Sequence, residues 1–290
     1  MPVTELEKHP YLQNINYAEY ESDYFEGLVI GTFPVYSVTD TLTEQNQTLL
    51  RFVETDAYMR FFYGSKQNVF WELLSSVLGP ANPTHAATPD DRVNEAMNLL
   101  TQNKLLITDV IAATNRKGHL SEDKNIWVDT DCQFVLDNRT LNNDIDALLS
   151  RNCKIKYLFF TATDLAGKSP FGWFRIIFAN RLTFRIITQI DNRVWCLQLN
   201  IDGREYLAFM LPSPAGKGTR GIHFGIQRLL MFESYLQSVD QQFYQEIDAV
   251  DRDNRTTHQK NLLTSFRKSF LKESWHQALI FKNAEFNGSI

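Results

Sequence analysis

The sequence predicts an α/β protein, a three-layer α/β/α sandwich around a central, mostly parallel sheet. Three observations predict it. Short apolar runs at 27–31, 105–110 and 155–160 have the length and composition of buried strands. Segments with helical spacing separate them, and strands alternating with helices indicate a sheet covered on both faces. A β-rich stretch at 182–211 then breaks the alternation. It predicts an antiparallel ribbon added to the sheet, with helices after it.

The elements follow in order. Residues 1–26 are a polar, acidic lead-in with short helices. Gly27-Leu28-Val29-Ile30-Gly31 is a buried strand, stopped at Thr32-Phe33-Pro34 by glycine and proline. Residues 41–60 are a partial helix. Asn68 caps a helix whose inward side carries Phe70, Trp71, Leu73, Leu74 and Val77. A Pro-rich loop at 80–90 leads into a helix over 90–102, started by Pro89 and Asp90. The strand at 105–110 runs into a polar stretch from Thr114 to His119. A helix covers 139–150, a third strand 155–160, and the segment from Ala166 to Phe171 opens another helix. LTFRIITQI, VWCLQLNI and REYLAFML are the ribbon strands. Asp202-Gly203 between the last two is a tight hairpin signal. The final strand carries Pro212-Ser213-Pro214 to one edge of the sheet. Helices over 221–246 and 255–281 complete the chain. Residues 1–246 therefore form the α/β domain, with the ribbon addition at about 182–205, and 247–290 form a helical extension packed on it.

Composition excludes several classes. Of 290 residues, 43% are hydrophobic and 21 are Phe, enough for a sizeable core and against disorder. No apolar run reaches membrane-spanning length. The N-terminal segment lacks the basic and apolar regions of a signal peptide, which predicts a cytoplasmic protein with no membrane partner. Cys132, Cys153 and Cys196 have no metal spacing and read as reduced thiols. The six histidines form no metal motif, so no metal and no cofactor are expected. A net charge of −5 argues against general nucleic-acid binding. A local basic face is still sufficient, and Lys66, Arg116, Lys117, Lys168, Lys217 and Arg220 all fall on predicted edge loops.

Three segments carry candidate chemistry. Gly216-Lys217-Gly218-Thr219-Arg220-Gly221 matches G-x-G-x-x-G but opens no βαβ unit, so it is not a dinucleotide fingerprint. Its glycines, Lys217 and Arg220 suit a phosphate. Tyr63 stands beside Gly64 and Ser65, ahead of the Asn68 helix, and can stack on a flat ligand. Thr108-Asp109 ends a strand at the edge where α/β sheets bind ligands, and Asp109 is either a base or a cap there.

In this order the segments resemble the uracil-DNA glycosylase superfamily over residues 25–235. Gly31-Thr32-Phe33-Pro34 is similar to its G-x-x-P motif, and Tyr63 through Asn68-Val69-Phe70-Trp71 to the aromatic loop ending in N-x-F-W. Thr108-Asp109-Val110 through Arg116-Lys117-Gly118 looks like the central segment of the hypoxanthine-type branch. Leu211-Pro212-Ser213-Pro214-Ala215-Gly216 resembles the Pro-Ser loop before the final family helix. Phe33 stands where several branches carry a water-activating Asp or Asn, and Leu211 where uracil-specific branches carry His. Both departures also resemble the hypoxanthine-type branch; the chain as a whole looks closest to the hypoxanthine-type or mismatch-specific branch.

The resemblance implies a monofunctional DNA glycosylase, monomeric and independent of metal or cofactor. It implies that the enzyme flips a deaminated or damaged base from DNA and hydrolyses its N-glycosidic bond. It assigns water activation to Asn68, with Asp109 as the other candidate. Gly31, Thr32, Phe33, Tyr63 and Thr161 would contact the base. Ser213, Pro214, Ala215, Gly216, Lys217 and Arg220 would contact DNA. Two other classes stay open: a binding protein for nucleic acid or nucleotide that keeps the fold without catalysis, and a small-molecule enzyme using the Gly-rich loop.

Overall fold

The apolar runs become strands because both sides of each are buried. The computed structural model describes residues 7–12, 24–32, 57–66, 68–79, 82–116, 126–127, 141–165, 169–190, 194–214 and 230–286. In chain order the main elements are β1 (Glu7–Lys8), β2 (Gly27–Gly31), α1 (Phe70–Leu78), α2 (Pro89–Gln102), β3 (Leu105–Asp109), β4 (Ala113–Arg116) and β5 (Ile126–Trp127). They continue with α3 (Asp144–Arg151), β6 (Tyr157–Phe160), α4 (Pro170–Phe178), β7 (Leu182–Ile190), β8 (Val194–Ile201), β9 (Arg204–Met210), α5 (Leu230–Val239), α6 (Gln241–Asp248) and α7 (Thr257–Phe286).

Six strands form one sheet in the order β3-β2-β6-β9-β8-β7. The pairings β2–β3, β2–β6 and β6–β9 are parallel, and β7–β8 and β8–β9 are antiparallel. Strand β9 thus belongs to both the parallel core and the ribbon. Its turn from β8 uses Asp202 and Gly203 with φ of 51° and 86°, the paired positive values that suit strand twist.

Side chains alternate across the sheet with the period of two that strands impose. Val29, Ile107, Phe159 and Phe209 face one layer, packed with Phe70, Trp71, Leu99, Phe232, Phe243 and Trp275 from α1, α2, α5, α6 and α7. Leu28, Ile30, Leu158, Phe160 and Met210 face the other, with Ile145 and Leu149 of α3 and Phe171 and Phe174 of α4. This is the expected three-layer α/β arrangement. Each fully buried aromatic side chain contributes about 1.5–3 kcal/mol relative to exposure.

Local signals set the helix starts. Thr88 and Asp91 make a reciprocal capping box at α2, with Pro89 in its first turn. Ser169 accepts a bond from Gly172 N at 3.0 Å and starts α4. The C-terminal helix covers a sheet face rather than only an edge. Trp275 meets Phe70 edge-on at 5.4 Å, and Phe281 meets Phe209 at 5.7 Å. At the N-terminal end of β2, Glu26 accepts from Lys104 Nζ at 2.6 Å and pairs with Lys282 Nζ at 3.4 Å. That ion group holds α7 against the base of the sheet.

Three local expectations change. The helix expected over 221–246 is two helices in its described part. Asp240, with φ of −150°, leaves helical geometry and accepts from Phe243 N at 2.9 Å to cap α6. The polar stretch after β3 starts as a strand, β4. The lead-in contributes β1, paired antiparallel to β4 through Glu7↔Thr114 and Lys8↔Ala113, where short helices were expected. The partial helix expected at 41–60 lies mostly outside the described residues.

Candidate functional site at the carboxyl edge of the sheet

Strand β2 is the switch point of the parallel sheet. The next two strands of this sheet in chain order lie on opposite sides of it, β3 on one and β6 on the other. Loops leaving such a point diverge and open a crevice at the strands' carboxyl ends. Four of the expected segments end there: Gly31 at the end of β2 with Thr32 after it, Asp109 at the end of β3, Thr161 after β6, and 211–214 after β9. Leu211 N donates to Phe160 O at 2.8 Å, which carries the pairing one residue past β9 and aims the Pro-Ser loop at this edge.

Gly31 stands at the centre of the site. A Cβ on it would overlap both Asp109 Oδ1 and Tyr63 Oη. The absence of a side chain therefore lets a carboxylate and a phenol meet at one backbone position. Tyr63 Oη donates to Thr161 Oγ1 at 2.9 Å, and Thr161 N donates to Ile30 O at 3.1 Å. Tyr63 has φ of 55°, a conformation that costs a non-glycine residue about 1–3 kcal/mol and persists where the surroundings enforce it. Phe70 stacks on the Tyr63 ring at 4.4 Å and 29°. One ring face is therefore already covered by protein.

Asp109 does not cap a helix. Its Oδ2 lies 2.9 Å from Nε2 of His9, and the two side chains are 5% and 0% exposed. The proton position follows from the other ring nitrogen. His9 Nδ1 accepts from Tyr11 N at 3.1 Å and Leu12 N at 3.3 Å. Nδ1 is thus the acceptor, and the network assigns the proton to Nε2, which donates to Asp109. The His9 main chain is tied by its N–H to Ala112 O at 2.7 Å. Asn142 Nδ2 donates to Asp109 O at 2.8 Å and to Thr108 Oγ1 at 3.1 Å, holding the end of β3 from the other side.

Asn68 serves its helix. Its Oδ1 accepts from Phe70 N at 2.9 Å, while Val69 occupies the formal cap position. The adjacent Val69 N donates to Pro214 O at 3.1 Å, so the N-x-F-W segment and the Pro-Ser loop are bonded to each other. Ser213 is half-buried and Pro214 buried. Phe70 and Trp71 are core residues. Lys66 is exposed, with Nζ 5.8 Å from the Tyr58 ring centre. Arg116 ends β4. Phe33, Lys117, Lys168, Ala215, Gly216, Lys217 and Arg220 lie outside the described residues.

The structure thus brings together Gly31, Tyr63, Asp109 and Thr161, and links Asn68 to Pro214 through the main chain. Sequence reasoning missed His9 and Asn142. Only one signal pointed to His9: a histidine followed by proline and two apolar residues inside an otherwise polar lead-in. The assembly offers acid–base chemistry, with one carboxylate, one imidazole and two linked hydroxyls. Among the described residues no group of three or more His, Cys, Asp or Glu is arranged to hold a metal ion, and no helix is long and apolar enough to cross a membrane.

Compared with known proteins, the chain matches no family model, no curated protein and no solved structure.

Proposed function

We propose that the chain is a DNA glycosylase of the hypoxanthine or uracil type, acting by base flipping and hydrolysis of the N-glycosidic bond. The observation that carries this reading is the junction at Gly31. Residues from three separate sequence motifs, Gly31, Tyr63 and Asp109, meet at the ligand-binding edge of the sheet. Thr161 is joined to them through the Tyr63 hydroxyl. A chance set of motif matches carries no such requirement.

The chemistry fits these groups. Extruding a nucleotide costs about a few kcal/mol in lost pairing and stacking. Stacking a base on an aromatic face returns about 1–3 kcal/mol. Tyr63, held against Phe70 on one ring face, would supply the aromatic surface for the flipped base. Breaking the bond leaves positive character on the sugar and negative charge on the base. The backbone of the Gly31-Thr32 turn would lie against the departing base. A carboxylate or amide near the sugar would orient water. The Pro-Ser loop, bonded to the start of α1, would contact the DNA backbone.

The second reading, a binding protein that keeps the fold without excision, is favoured by one observation. The Asn68 carbonyl is already bonded to Phe70 N–H. Labelled duplexes and single strands carrying uracil, hypoxanthine, xanthine or a thymine mismatch separate the two. Alkali-labile sites after incubation mean a glycosylase. Retention of a lesion duplex with no such sites means the binding protein. Neither retention nor cleavage removes both.

A further inference from the structure

We infer that Asp109 is the residue that accepts the proton of the hydrolytic water, and that His9 is its positioning residue. The inference rests on the glycosylase reading and deepens it by assigning the base.

Asp109 is 4% exposed, and its two carboxylate oxygens have different surroundings. Oδ2 accepts from His9 Nε2 at 2.9 Å. Oδ1 has no hydrogen-bond partner among the described residues and faces the Gly31 corner beside Tyr63 Oη. The Tyr63 hydroxyl proton is directed at Thr161. A buried carboxylate with one oxygen held and the other left at the Gly31 corner, on the carboxyl edge of the sheet, keeps an acceptor for a further hydrogen bond.

His9 makes this arrangement specific. Two main-chain N–H groups, those of Tyr11 and Leu12, hold Nδ1 as an acceptor. They fix the tautomer that donates to Asp109, and the ring packs on Phe62 at 5.1 Å. Donation to Oδ2 fixes the rotation of the carboxylate, so Oδ1 keeps its direction. Asn68 is less suited to the role, because an amide does not take up a proton and its carbonyl already serves Phe70 N–H.

The step balances. As the water oxygen bonds to C1′, the C1′–N bond breaks and its electron pair goes to the base. One water proton passes to Asp109, and from there to the released base, which restores the carboxylate.

The test uses the full chain and the lesion duplex that the wild type cleaves in the excision panel. Single-turnover rates and duplex affinity are measured for D109N, H9L and H9Q, with melting to establish folding. D109N is expected to slow cleavage by about a hundredfold or more. H9L is expected to slow it by about tenfold or more through misplacement of the carboxylate, with affinity for the duplex unchanged. H9Q, whose amide still donates, is expected to recover most of the H9L loss. A long-range proton–nitrogen correlation, assigned by the signal lost in H9Q, is expected to place the His9 proton on Nε2. Undiminished cleavage by D109N or H9L, no recovery in H9Q, or a proton on Nδ1 overturns this inference alone. Absence of any cleavage by the wild type overturns the glycosylase reading itself and the role of Asp109 with it.

Discussion

His9 donates to Asp109 across 2.9 Å although a hundred residues separate them in the chain. The contact joins the polar lead-in to the carboxyl end of β3, the edge strand on the parallel side of the sheet. It gives the lead-in a structural task that its composition does not announce. Removing the imidazole leaves a buried carboxylate without its donor, which costs about 1–3 kcal/mol and more where the group is charged. H9A is therefore expected to lower unfolding free energy by at least about 2 kcal/mol in urea titration, and H9Q by less.

Gly31 is the most constrained position of the site. A methyl group there meets Asp109 Oδ1 on one side and Tyr63 Oη on the other. G31A is expected to cost about 1–3 kcal/mol as an overpacked site and to displace both side chains. Denaturation reads the first effect. Loss of lesion-duplex cleavage reads the second.

Asn68 holds the start of α1 through Phe70 N–H. N68A should lower stability by about 1 kcal/mol, the usual value of a lost side-chain cap. N68D keeps the acceptor and should stay within a few tenths of a kcal/mol of the wild type. A pair of melting curves decides it, and equal losses in both variants would mean that the bond to Phe70 is not what Asn68 contributes.

Lys282 makes stability depend on pH. Burial holds its ammonium below the ordinary 10.5, while Glu26 pulls the other way. The unfolded chain therefore keeps this proton over a range in which the folded chain has released it. Stability from this group rises as pH climbs through that range towards 10.5 and is lost as pH falls back through it to the folded value, below which it is constant. The stability difference between the wild type and K282M should grow in favour of the wild type from neutral pH towards that value. Urea titrations at several pH values check it, and a difference that shrinks with rising pH contradicts it.

The strands were legible because burial on both faces leaves unbroken apolar runs. The β8–β9 hairpin was legible because Asp202 and Gly203 tolerate positive φ. The convergence of Tyr63, Asp109 and Thr161 was legible because each stands near the carboxyl end of a strand or in an aromatic loop beside it. His9 was not. It follows a strand of only two residues, β1, too short to carry any period, and its partner is distant in sequence. The division between α5 and α6 was hidden for a related reason. Asp240 breaks the helix through its own backbone angles and a cap to Phe243, and the apolar spacing on either side continues as if the helix were one.

Release of free base from DNA is the measurement that tests the central claim most directly. Wild-type protein is incubated with duplexes and single strands carrying uracil, hypoxanthine, xanthine or a thymine mismatch, and the released small molecules are separated and weighed by mass spectrometry. The account predicts one free base, accumulating with an equal amount of alkali-labile abasic sites, and almost none from D109N. Intact substrates across the whole panel, from a protein that melts cooperatively, would contradict it.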